Sequence, residues 1–132
     1  ADGHEFHEAR SRRAFAGLLA EPRWGTVLLA ELDGSVIGYA VVTVGYSIES
    51  GGVEALLDEV YLDVRSQGLG SILLDRVVTE ARRQGAQRLF LETETANERA
   101  RAFYRRHGFL QDDSIWLSID LADHGLASGN SG

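Results

Sequence analysis

An α/β fold, more closely an α+β mixed sheet, is what this sequence predicts, on three observations. Val53 to Leu62 reads as a strand and Ser71 to Gln84 as a helix, joined by the glycine-punctuated turn Arg65-Ser66-Gln67-Gly68-Leu69-Gly70. A further strand-like run, Arg88 to Glu94, follows at crossover spacing, and strand–helix–strand connections of that kind are right-handed and parallel. Upstream, Thr26 to Glu31 and Val36 to Gly45 flank Asp33-Gly34, the strongest local hairpin signal in the chain, which makes that pair antiparallel.

The elements follow in order. Residues 1–20 read as a helix, with Phe6, Ala9, Arg10, Arg13, Ala14, Gly17 and Leu18 near one face and Phe15, Leu18 and Leu19 as apolar anchors. Pro22 stands where a helix stop would. The hairpin comes next, then the polar loop Ser47 to Gly52, then the third strand, on which alternation puts Leu57, Glu59 and Tyr61 on one face. In the second helix Leu73, Val77 and Ala81, with Leu74 and Val78, form a stripe that must face a sheet. Gly85 ends that helix as a C-cap glycine does. Thr95 or Asn97 can cap a third helix that runs to His107, and Gly108 closes it. Phe109 to Gln111 and Ser114 to Leu121 read as a closing antiparallel pair. Residues 1–121 form one domain and 122–132 a disordered tail.

Composition excludes several classes. A chain of 132 residues is one domain. No apolar run approaches the ~20 residues of a membrane helix, so no membrane partner is expected. There is no cysteine for a disulfide or a thiolate zinc site, which fits the reducing cytoplasm. The formal charge is −7 and every one of the 13 basic side chains is arginine. An acidic balance disfavours nucleic acid and attracts a cationic amine at long range. His4-Glu5-Phe6-His7-Glu8 spaces its histidines three apart, not the four a zincin helix needs, so no metal is expected.

The turn before the second helix carries the chemistry. The first amides of a helix have no internal partner, and the aligned peptide dipoles put about half a positive charge there. Glycine lets a ligand approach that end closely, so phosphate can be bound without lysine. The spacing is neither the dinucleotide fingerprint nor a Walker loop; it is R-x-x-G-x-G. Twenty-seven positions past Gly70 stands Asn97-Glu98-Arg99-Ala100-Arg101-Ala102-Phe103-Tyr104, then His107-Gly108-Phe109. In that order the two motifs resemble the GNAT superfamily of acyl-CoA-dependent N-acyltransferases, over about residues 4–121.

The resemblance implies a GNAT-like acyl-CoA N-acyltransferase fold, its sheet split between the third and fourth strands, with acetyl-CoA as cosubstrate. Relatives usually have a strand and a helix before the first helix seen here; this chain reads as lacking them, and an uncovered sheet edge invites a homodimer. A second departure is the short link from Tyr61-Leu62 to Arg65, which is longer in many relatives. By resemblance the amides of Gln67, Gly68, Leu69 and Gly70 hold the pyrophosphate, Ser71 adds a contact, and Arg65 acts through its backbone or side chain. Asn97 bonds the pantetheine arm, caps its helix, or does both. Tyr104 lies beside the CoA sulfur as general acid, protonated at neutral pH because a phenol titrates near 10.

Two functions remain for other residues. Glu59 is the candidate base. Asp58 and Glu59 interrupt an apolar strand, charged residues are seldom buried without purpose, and a carboxylate with a raised pKa takes a proton directly or through water. Asp58, Glu92 and Glu94 are rivals that could instead bind a cationic substrate. A main-chain N–H near Tyr61 or Leu62 is the expected oxyanion donor, because a split or bulged strand leaves such groups unpaired. The expected reaction is transfer of an acetyl group to a primary amine of a small molecule or peptide. The alternative is a catalytically silent acyl-CoA-binding or regulatory module of the same fold.

Overall fold

The computed structural model describes residues 8–63 and 68–122, and its backbone packing divides into two units, 1–92 and 93–132. The first unit opens with helix α1 (Glu8–Ala20) and a 3₁₀ turn at Pro22–Trp24. Strands β1 (Gly25–Leu32), β2 (Ser35–Ser47) and β3 (Gly52–Leu62) follow, then helix α2 (Leu69–Arg83) and strand β4 (Arg88–Phe90). The sheet order is β1-β2-β3-β4. The first two pairings are antiparallel and the last is parallel, which is the mixed sheet the sequence predicts.

Local chemistry explains the hairpin. Leu32 pairs with Ser35, leaving Asp33 and Gly34 as a two-residue loop with φ of 51° and 82°. Both residues are left-handed, as the turn that matches strand twist requires. The predicted residues 1–7 of the first helix and the tail from 123 onward lie outside the described residues.

The two helices of this unit cover opposite faces of the sheet. Thr26 on β1 donates from Oγ1 to Glu80 of α2 at 2.7 Å. Thr26 pairs with Val42, and Val42 pairs with Leu57, so those side chains share the α2 face. There Ala40, Val42, Ala55 and Leu57 are buried with Leu73, Leu74, Val77 and Ala81 of α2. Burying an aliphatic side chain of this size contributes about 1.5–3 kcal/mol, so this layer is the core. On the other face Phe15 of α1 meets Tyr39 edge-on at 6.1 Å. Leu19, an expected anchor of α1, is exposed; the inward face runs through Ser11, Phe15 and Leu18.

Two bulges reset the strand period. In β2, Ile37 is the extra residue between the pairs Ala30–Gly38 and Glu31–Val36. In β3, Asp58 is extra between Val42–Leu57 and Val41–Glu59. An extra residue moves everything beyond it to the opposite face. The expectation that Leu57, Glu59 and Tyr61 share a face is therefore overturned: Leu57 faces α2, whereas Glu59 and Tyr61 face α1. Gly38 sits where the β2 and β3 backbones press together, and a Cβ built on it would lie 2.4 Å from the carbonyl oxygen of Tyr61. Gly38→Ala must push β3 away, and chemical denaturation is expected to show a loss of about 2 kcal/mol, typical of overpacking.

Strand β4 is shorter than the run Arg88 to Glu94 suggests. Its ladder to β3 spans only Glu54–Arg88, Ala55–Leu89 and Leu56–Phe90. The bulge at Asp58 bends β3 two residues past the last pair, and a bent strand cannot keep the ladder.

In the second unit, helix α3 (Glu98–Arg106) carries Glu98 in its first turn and Arg105 and Arg106 in its last, charges that suit the helix dipole at each end. Gly108, with φ of 96°, follows its end. The predicted closing pair is not formed: residues 109–111 and 114–120 join no ladder among the described residues. Ile115, Leu117 and Ile119 alternate as a strand would, but Trp116 between them is 85% exposed and Leu117 is 87% exposed. Alternation is a local property, whereas a strand exists only when its N–H and C=O groups find a partner.

Candidate active site

The turn after β3 is seen from Gly68 onward, because Arg65, Ser66 and Gln67 lie outside the described residues. Gly68 is the N-cap of α2, with φ of 82° and ψ of −11°. A residue with a Cβ resists that left-handed conformation, so glycine is required there. Gly68 has no side chain with which to cap this helix, and the first turn holds no acidic residue. Leu69, Gly70 and Ser71 therefore begin a helix whose first turn places no carboxylate at its positive end. Such an end suits an anionic ligand.

The end of β3 is crowded with polar aromatic groups. Tyr39 donates its hydroxyl to Oε1 of Glu59 at 3.0 Å, and its ring lies 6.1 Å from that of Tyr61. Partial burial, then the bond to Glu59 and its charge, raise the Tyr39 phenol above its ordinary value. Asp58 and Glu59 are both exposed, so burial does not account for these two carboxylates in a strand. They line a cleft of about 470 Å³ between α1 and the sheet, together with Phe15, Trp24, Val41 and Thr43. Tyr61 and Leu62 stay in register with Tyr39 and Gly38. The N–H of Asp63 reaches Ile37 at 2.7 Å on the β2 side, so strand alternation turns the N–H of Leu62 to the opposite edge. That edge lies beyond the last β4 pair.

Asn97 and Tyr104 both belong to α3. The Oδ1 of Asn97 accepts from the N–H of Ala100 at 3.1 Å, so the cap reading holds, and this bond leaves its amide N–H groups able to donate elsewhere. Tyr104 stands seven positions on, two turns along the same face. Its ring meets Phe103 at 5.3 Å and Phe109 at 5.7 Å. Burial raises its phenol above the ordinary value of 10, which keeps the proton on the oxygen.

Sequence reasoning missed two sets of residues. Phe15, Trp24, Tyr39 and Thr43 acquire a shared site only through the sheet register. Glu80 accepts from Thr26, from Gln84 at 2.8 Å and from Arg83 at 2.7 Å, and it is nearly buried. A signal was present for Glu80: it lies seven residues after Leu73, on the apolar stripe itself. Among the described residues no group of histidine, cysteine and carboxylate side chains is arranged to hold a metal ion. Among them, too, no helix is long and apolar enough to cross a membrane.

The fold and the glycine-capped helix define a class, and comparison with known proteins agrees. A profile described as "Acetyltransferase (GNAT) family" matches residues 2–109, and the chain belongs to that family. An integron cassette protein from the mobile metagenome of Cole Harbour Salt Marsh is similar at TM-score 0.77 and 28% identity, covering 90% of this chain and 74% of that one. An aminoglycoside antibiotic 6'-N-acetyltransferase from Acinetobacter haemolyticus is similar at TM-score 0.72 and 19% identity, over 89% and 84% of the two chains. An aminoglycoside N-acetyltransferase in complex with CoA is similar at TM-score 0.69 and 16% identity, over 84% and 87%. These last two show the fold alone. No curated protein matches the chain.

Proposed function

We propose that this chain is an N-acetyltransferase that moves the acetyl group of acetyl-CoA to a primary amine of a small molecule or peptide by direct attack. The observation that carries the reading is the N-terminus of α2, entered through left-handed Gly68, which has no side chain to cap it, and with no acidic residue in its first turn, in a chain of the GNAT family. A similar acetyltransferase holds CoA, which supports CoA as the carrier here. The cosubstrate supplies an activated thioester carbon. The amides of Gln67 to Gly70, with Ser71 and Arg65, hold its diphosphate, and the amide of Asn97 donates to its pantetheine arm.

Glu59 takes a proton from the ammonium form of the acceptor, directly or through water. The freed nitrogen bonds to the thioester carbon and loses a second proton to solvent water, and the C–S bond breaks with its electron pair going to sulfur. Tyr104 gives its hydroxyl proton to that sulfur and regains one from solvent. The N–H of Leu62, which alternation turns away from β2, donates to the carbonyl oxygen as it gains charge, whereas that of Tyr61 faces β2.

A thermal-shift titration with acetyl-CoA tests the binding half. At 100 times its dissociation constant the ligand is expected to add about 2.7 kcal/mol of stability. A thiol-release screen over amines tests the rest. The absence of any shift at millimolar CoA rejects the reading; a shift without turnover on any amine assigns a silent acyl-CoA-binding module instead.

A further inference from the structure

The cleft between α1 and the sheet holds a feature that strand alternation forbids. Consecutive residues of a regular strand point to opposite faces, yet Asp58 and Glu59 both line this cleft. The bulge that inserts Asp58 between two ladder pairs allows it. A third carboxylate, Glu21, lines the cleft from the end of α1, but it is already paired with Arg23 at 3.2 Å. Glu59 is held by the Tyr39 hydroxyl. Phe15 and Trp24 add aromatic walls to the same cleft, surfaces that suit alkyl carbon. The Trp24 ring already carries the Arg23 guanidinium at 4.9 Å, so the carboxylates are the groups that select a substrate cation.

Two acids side by side have different tasks in an amine transfer. The reacting nitrogen must become neutral before it attacks, so it cannot remain the partner of both. From this pairing we infer that the acceptor carries two cationic nitrogens: one surrenders its proton at Glu59, and the other keeps its charge and pairs with Asp58. Glu59's part in this rests on the acyl-transfer reading above, whereas the pairing at Asp58 rests on the cleft alone. Asp58 is a specificity-determining residue, and the substrate class is a diamine or polyamine with an aliphatic or ring spacer.

The four-carbon diamine and butylamine serve as probes of equal length. Calorimetric titration of the protein without acetyl-CoA is expected to show the diamine binding about fivefold more tightly, the size of one partly exposed ion pair. That advantage should shrink as salt is raised. Asp58→Asn is expected to bring the two affinities together, and Asp58→Glu to restore most of the difference. With acetyl-CoA present, the ratio of kcat/KM for diamine over butylamine should follow the same order across the three proteins. Equal affinities in the wild-type protein, or a preference unmoved by Asp58→Asn, overturn the inference. Diamine preference without thiol release leaves Asp58 as a cation anchor and removes the enzyme reading. Thiol release with butylamine and no diamine preference does the reverse.

Discussion

Tyr104→Phe is expected to lower kcat by about 10²- to 10⁴-fold, the range that one positioned proton donor contributes, while the affinity for acetyl-CoA changes little. The change removes one oxygen and leaves the ring, so the contacts with Phe103 and Phe109 that seat residue 104 are kept. A purely structural tyrosine would give a different pattern, with a lower melting temperature and near-normal turnover. The pH profile adds a second readout. The reactive form of Tyr104 is the protonated one, and burial places its phenol above 10. Activity that depends on it is therefore complete at neutral pH and is lost only as pH rises through that raised value. An alkaline limb below 10 would belong to another group. Single-turnover thiol release and a CoA titration on the same preparation separate the chemical step from binding. Full activity in the phenylalanine variant would remove Tyr104 as the acid.

What the sequence showed and what it hid divide along a physical line. The elements of residues 8–92 were legible because each is local: an apolar stripe at Leu73, Val77 and Ala81, a β-branched run from Val36, a turn at Asp33-Gly34. The glycine that caps α2 was legible for the same reason. The faces of β3 were not, because a bulge is a relation between two strands, and the one at Asp58 exists only against Val41 and Val42. Two charges in succession within an apolar strand were its trace in the sequence. The closing pair was predicted from alternation at Ile115, Leu117 and Ile119, but pairing is not encoded in one segment. The cleft gathers Phe15, Trp24 and Glu59 from across more than forty positions, and nothing local announces that meeting. Tyr104 and Asn97 stood out through their spacing, which resemblance could read and propensity could not.

Glu80→Gln is expected to destabilise the fold by about 2 kcal/mol at neutral pH, with the effect vanishing in acid. Glu80 is only 9% exposed, and all three partners on its carboxylate are donors: Arg83, Thr26 and Gln84. A carboxylate accepts from each of them, whereas a glutamine must aim its own N–H groups at one. Chiefly through the bonds from Arg83, and against the opposing effect of burial, the Glu80 carboxyl is lowered from 4.5 to about 2. At about 1.4 kcal/mol per tenfold change this corresponds to at most about 3.5 kcal/mol. Arg83 is 66% exposed, so solvent screens part of that and about 2 is the expected value. The sign follows from the direction. A group held ionised in the folded state stabilises it fully above its unfolded value of about 4.5, and that contribution drains away as pH falls toward 2. Wild-type protein should lose stability through that window faster than the variant, and the two unfolding curves should converge near pH 2. In melting temperature the neutral-pH gap is about 6–10 °C for a chain of this size. A gap that persists unchanged into acid would mean that packing at the α2–β1 contact, and not the charge of Glu80, holds Thr26 to α2.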